Sequence, residues 1–256
     1  MTVRYERRGY VAVLTLSDVS RRNALSRAIV RSMLESLLRA AAEHARAIVI
    51  AGDGTAFCSG ANMADLRDGW MEGNEPETDP VRLFRALVES PIPLVAAVHG
   101  AALGGGFELT LSCDFVVAGE QAWFALPELG VGVVPNTALA RLPQLVGVRR
   151  ATEIILLRER LSATQALSLG LATKVVPTGS ELDEALAMAR RIVSTTTPGA
   201  LAAAKRHLLL HNAIDWERVR SSLHEVPKPE WQEGLDAYTE HRPFDYDKFW
   251  PDAGAK

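Results

Sequence analysis

The chain of 256 residues is long enough to bury one large core, or a core with a smaller appendage, without disulfides or metal. Its 28 basic and 31 acidic residues are mixed along the chain and leave a formal charge of −3, which excludes the concentrated basic field of a protein that grips nucleic acid or an anionic membrane. Two cysteines, Cys58 and Cys113, sit among small or apolar neighbours and read as reduced thiols of a cytoplasmic protein rather than a secreted disulfide framework.

The first ten residues carry several charges and no long apolar run, so neither a signal peptide nor a membrane span is expected. Val3 to Glu6 and Val11 to Leu16 read as the two strands of a hairpin around "RRGY". From Ser26, a candidate N-cap, to about His44, apolar residues recur at helical spacing (Ile29, Val30, Met33, Leu34, Leu37, Leu38, Ala41). "ARAIVIAG" and "PLVAAVHG" are continuous apolar runs ending at Gly52 and Gly100, the pattern of strands buried on both faces. Between them, "ADLRDGWMEGNEPETDP" reads as a polar, mobile surface loop.

"AALGGGFELTLSC" predicts a short helix, and Phe115 to Ala118 a strand. "WFALPELGVGVVPN" predicts short extended pieces broken by Pro127, Gly130, Gly132 and Pro135. Helices are expected to predominate from about Arg149, with a short strand near Lys174 to Val176. The last 60 or so residues, from Pro198, read as a helical lobe or arm. Strands alternating with helices over the first 180 or so residues indicate an α/β core.

Three stretches carry candidate chemistry. In "GGGFEL", glycines 104 to 106 permit close backbone approach to a ligand, and the helix that follows begins with unpaired amides of partial positive charge. For the glycines alone, a tight turn with close helix packing is the better explanation. Glu108, however, follows Phe107 and precedes Leu109, where burial would raise its pKa toward an acid/base role; an exposed early-turn carboxylate is the rival reading. In "AFCSGANMADL", Ser59, Gly60 and Ala61 allow a second backbone donor. In "LPELGVGVVP", Glu128 stands between Pro127 and Leu129, 20 residues after Glu108. Alone it reads as a solvated loop acid; as a pair, two carboxylates can divide proton donation from proton removal.

Other chemistry finds little support. "AGDGTAF" fails as a dinucleotide fingerprint at Phe57, and no phosphate-loop sequence or G-x-S-x-G elbow occurs. His207 and His211 are spaced i, i+4, but "HLLLH" lacks the zinc-protease glutamate, so a surface or interface pair is expected and no metal site.

Taken together, "RRNALS", "AFCSGANM", "HGAALGGGFELTLSCDFVVA" and "FALPELGVGVVPNTALARLPQLVG" resemble the crotonase superfamily, the enoyl-CoA hydratase and isomerase family. The resemblance implies an α/β spiral of ββα units over residues 1–195 and a helical C-terminal oligomerisation region over 196–256, assembling as a homotrimer or homohexamer. It implies an acyl-CoA substrate whose thioester carbonyl is held by the amides of Ala61 and Gly105, with Glu108 activating water for C3 and Glu128 handling the proton at C2. Arg22, Ala24, Gly60, Asn62, Met63, Gly104, Pro127 and Val131 would contact the substrate, Arg22 through phosphate. No metal or redox cofactor is implied, since coenzyme A is part of the substrate. The implied reaction is hydration of a 2-enoyl-CoA; double-bond isomerisation, thioester hydrolysis and C–C chemistry use the same scaffold, and a non-catalytic binding protein, including an RNA-binding relative, is the rival from another class. The chain departs from the family pattern at Asn62 (usually Asp), at Ala64 (frequently basic), and in "PNTALARL", which is one residue short with Asn136 in place of a glycine.

Overall fold

The computed structural model describes residues 3–70, 73, 75–210, 213–222 and 224–249. Its centre is a six-stranded sheet in the order β1 (Val3–Arg8), β2 (Val11–Leu16), β3 (Ala47–Gly52), β4 (Leu94–Val98), β6 (Phe115–Gly119), β9 (Lys174–Val176). Only β1 is antiparallel to its neighbour. β1 lies at the edge, with only Val3 buried and Arg4 and Glu6 exposed, whereas β2 and β4 are buried at every position. Continuous apolar runs are required there because both faces of the parallel strands are covered. Leu14, Ile48, Ile50 and Val98 point into the main core, while Val13, Val49, Val95 and Val117 meet Ala185, Leu186 and Ala189 of helix α8 (Glu181–Thr195).

Helix α1 (Arg27–Ala42) begins as its sequence indicates: Ser26 Oγ accepts the Ile29 amide at 3.2 Å, and Ile29, Val30 and Met33 are buried on its inner face. The segment read as a mobile loop differs from expectation. It contains helix α2 (Met63–Arg67), and its last residue opens helix α3 (Pro80–Val88), capped by Asp79. Trp70 between them is buried, its Nε1 donating to the Thr78 carbonyl at 2.8 Å. Apolar burial therefore overrides the polar composition of the loop.

A second, three-stranded sheet runs β5 (Ala101–Leu103), β7 (Trp123–Ala125), β8 (Leu161–Ser162). Thus "AAL" is a strand, not the start of the helix, and α4 (Gly105–Leu111) begins after it. β4, β5 and α4 form one ββα turn; β6, β7 and the helix α5 (Asn136–Val146) form the next. β3, the bridge of Cys58 to Ala102, and α2 form the preceding one. Helices begin at Asn136, earlier than expected, because Pro143 lies inside α5 without ending it. α6 (Val148–Leu157) and α7 (Ala163–Ser168) follow.

The C-terminal helices α9 (Pro198–Leu210), α10 (Trp216–Ser222) and α11 (Lys228–Thr239) pack back on this spiral. The buried Lys205 ammonium of α9 donates to Asp114 Oδ2 at 2.6 Å and to the Ile92 carbonyl at 2.9 Å. Gly234 of α11 lies so close to the Val131 carbonyl that a Cβ would collide with it. Both cysteines are free and buried, and burial pushes the Cys58 thiol up to about 12. Among the described residues, no helix is long and apolar enough to cross a membrane.

Candidate active site

The stacking of the three ββα turns decides what meets at one end of the spiral. The first turn delivers residues 58–62, fixed on both sides: Cys58 N–H donates to the Ala101 carbonyl, Leu103 N–H to the Cys58 carbonyl, Leu25 N–H to the Gly60 carbonyl and Asn62 N–H to the Leu25 carbonyl. Gly60 adopts φ +93°, a left-handed conformation that a side chain would strain, and a Cβ there would lie 3.0 Å from the Leu103 carbonyl oxygen. These bonds leave the Ala61 amide without an acceptor among the described residues. The second turn delivers Gly104 (φ +50°) and the first amide of α4, Gly105, likewise without an acceptor among the described residues. A Cβ at Gly105 would lie 3.9 Å from Ala61 N, so the two free donors are neighbours.

All seven residues of α4 are buried, Glu108 among them at 7% exposure. Its Oε1 accepts the Ala138 amide at 2.9 Å, and the neighbouring Thr137 amide also favours the charged form. Burial raises its pKa to about 7, against the opposing pull of those two amides. The exposed-carboxylate reading of Glu108 is thereby removed.

The third turn delivers Glu128, first residue of a 3-10 turn over Glu128–Val131. Its Oε2 is out of solvent and has no hydrogen-bond partner. Its pKa is raised well above the ordinary carboxyl range, first by burial and then by the charge of Glu108. A Cβ at Gly104 would collide with Glu128 Oε1, so the glycine is what lets this carboxyl reach the cavity. The two acids and two amides share a cavity of about 260 Å³ whose other walls are mainly apolar, including Leu25, Met63, Leu66, Trp70, Phe84 and Val131.

Of the residues expected from sequence, Gly60, Ala61, Met63, Gly104, Gly105, Glu108, Pro127, Glu128 and Val131 line this cavity. Arg22, Ala24 and Asn62 do not. Arg22 is exposed in a left-handed conformation, its carbonyl accepting the Ser59 amide, and Ala24 is buried. Asn62 caps α2, its Oδ1 accepting the Ala64 and Asp65 amides at 3.1 and 3.2 Å. An asparagine in place of the family's usual aspartate thus keeps the same local bonds.

Other wall residues escaped the sequence reading. Trp70 and Phe84 flank the polar loop, and Tyr238 reaches the cavity from α11, 110 residues after Glu128. Asn136 and Thr137 also line it, from the shortened segment. His207 is exposed, and His211 lies outside the described residues. No group of three or more His, Cys, Asp or Glu residues that could hold a metal occurs among the described residues.

Comparison with known proteins bears on the family and the fold. The family model described as enoyl-CoA hydratase/isomerase matches residues 6–249. A putative enoyl-CoA hydratase of Thermus thermophilus is 34% identical over 256 residues, 92% of this chain and 97% of the relative. The 2,3-dehydroadipyl-CoA hydratase of Escherichia coli is 37% identical over 200 residues, 77% of this chain and 78% of its own. Among solved structures, carnitinyl-CoA hydratase from Mycobacterium avium superposes with a TM-score of 0.85 at 33% identity, covering 96% of this chain and 98% of its own. Fold, cavity and sequence thus lead to one conclusion: the chain belongs to the enoyl-CoA hydratase/isomerase family and has the crotonase fold.

Proposed function

We propose that the protein is a 2-enoyl-CoA hydratase, adding water reversibly across the C2=C3 bond of an acyl-CoA thioester. The single observation that carries this reading is the pair of buried carboxyls, in different environments, beside two unpaired backbone amides. The thioester oxygen accepts from Ala61 N–H and Gly105 N–H, and these donors gain strength as the carbonyl becomes an enolate. Loss of one such donor typically costs about 3 kcal/mol of transition-state stabilisation.

The two acids divide the protons by environment. Glu108 accepts the Ala138 N–H bond, which favours its carboxylate, so it takes the proton from water as the oxygen bonds to C3. Glu128 has an oxygen without any donor, and burial together with the charge of Glu108 raises its pKa, so it stays protonated and delivers that proton to C2. After one turnover Glu108 is protonated and Glu128 ionised, and proton exchange with solvent restores the pair. Relatives bearing enoyl-CoA hydratase names at 34–37% identity support hydration over isomerisation, which needs chiefly one base.

We extend the proposal to the assembly and the contacts with the nucleotide. A homotrimer or homohexamer, in which residues 196–256 take part, is supported by exposed apolar side chains that a subunit contact would cover: Leu145 of α5, Val148, Leu156 and Leu157 of α6, and Leu208 of α9. Arg22, exposed and joined through its carbonyl to the Ser59 amide, is assigned in this reading to the phosphate of coenzyme A, and its exposure supports that role. Coenzyme A enters as part of the substrate and the chemistry uses no further cofactor.

Incubation with crotonyl-CoA and longer 2-enoyl-CoAs, followed by loss of the conjugated thioester absorbance, tests the proposal. Hydration is the expected result; no absorbance loss at any chain length would refute it.

A further inference from the structure

Among the described residues, only three buried side-chain polar atoms have no hydrogen-bond partner, and two of them belong to residues that line the same cavity. One is Glu128 Oε2. The other is Thr137 Oγ1, on a residue 1% exposed. A helical threonine ordinarily turns its hydroxyl onto a carbonyl one turn back. Thr110 does so toward the Phe107 carbonyl at 2.7 Å, and Thr152 toward the Val148 carbonyl at 2.9 Å. Thr137 is the second residue of α5, where no preceding helical turn offers such a carbonyl. Valine would fill the same volume without leaving a buried hydroxyl unsatisfied.

The backbone fixes where this hydroxyl stands. The Ala138 amide donates to Glu108 Oε1 at 2.9 Å, so Thr137, the residue before it, is held beside the carboxylate assigned to water, on the wall of the same cavity. Asn136 anchors the same turn through Nδ2, which donates to the Val219 carbonyl at 3.2 Å. The hydroxyl can therefore serve as both donor and acceptor to whatever oxygen sits beside Glu108.

We propose that Thr137 Oγ1 hydrogen-bonds the oxygen at C3: the attacking water before addition, and the new 3-hydroxyl after it. This rests on the hydratase reading and adds to it a binding contact selective for 3-hydroxyacyl thioesters over saturated ones. Thr137 moves no proton in the net reaction; it orients the lone pair that Glu108 exposes on the water, and it recognises the product.

The test compares Thr137→Val, which keeps shape, with Thr137→Ser, which keeps the hydroxyl. Thr137→Val is expected to lower kcat for crotonyl-CoA about 10-fold with KM within about twofold, and Thr137→Ser to stay within about threefold of wild type. Binding of butyryl-CoA and 3-hydroxybutyryl-CoA is then measured calorimetrically in proteins that also carry Glu128→Gln, so that the ligand is not turned over. Adding Thr137→Val should weaken the hydroxylated ligand about 10-fold and leave the saturated one unchanged. Retention of wild-type kcat by Thr137→Val, or equal weakening of both ligands, overturns the proposal. Absence of hydration by the wild-type protein would defeat the hydratase reading instead, and the binding comparison would still decide the role of Thr137.

Discussion

Replacing Glu108 by glutamine should separate stability from turnover in a pH-dependent way. Burial holds the carboxyl at about 7 rather than the ordinary 4.5, so its charged form is disfavoured by the fold by about 3 kcal/mol. Below about pH 4.5 the group is neutral whether the chain is folded or not, and the full stability is present. As pH rises through 7, the folded protein must ionise a buried acid that the unfolded chain ionises freely, and that stability is lost. The substituted amide side chain never ionises, and its oxygen can still accept the Ala138 N–H. Glu108→Gln and wild type should therefore melt together at pH 4, while at pH 8.5 the variant should be more stable by up to about 3 kcal/mol, or about 6–12 °C for a chain of this size. Turnover of crotonyl-CoA should fall about 100-fold or more at every pH. Thermal melts at a fixed protein concentration check the stability side. A melting difference of the same size at pH 4 and pH 8.5 would refute the claim that burial raises the pKa of Glu108.

The glycine that admits Glu128 gives a second prediction. Gly104→Ala puts a Cβ against Glu128 Oε1 at a φ of +50°, so kcat should fall about 10-fold or more, with a stability cost of about 1–2 kcal/mol. Steady-state kinetics with unchanged kcat would show that Glu128 need not reach the cavity there. A third concerns the segment leading to Ala61: buried Asn23 accepts the Asp18 amide at 2.9 Å and donates to the Asp53 and Ala56 carbonyls at 2.8 Å each. Asn23→Ala leaves these groups unpaired and should cost about 3 kcal/mol, read as a lower melting temperature, whereas Ser26→Ala, which removes only the cap of α1, should cost about 1 kcal/mol.

The strands β2, β3 and β4 were legible in the sequence because parallel strands covered on both faces leave no polar positions. Helix α1 was legible from its one-sided apolar period and its serine cap. Helix α3 carried a readable start, Asp79 at the cap and Pro80 in the first turn, but the polar residues before it hid the signal. Helix α5 was obscured by its internal Pro143, and β5 is too short, at three residues, to show a period. In the site, Glu108 and Glu128 stood out because each carboxylate lies in an apolar stretch. Thr137 and Tyr238 gave no such sign: their place in the cavity comes from the packing of α5 and α11 against distant segments, which local pattern does not encode.

The central claim is that two main-chain amides hold the thioester oxygen beside the paired acids. A crystal structure of the protein with butyryl-CoA tests it most directly. The carbonyl oxygen should lie about 3 Å from both Ala61 N and Gly105 N, with C2 and C3 facing Glu128 and Glu108. A carbonyl pointing away from these amides, with the acyl chain bound outside the cavity, would contradict it.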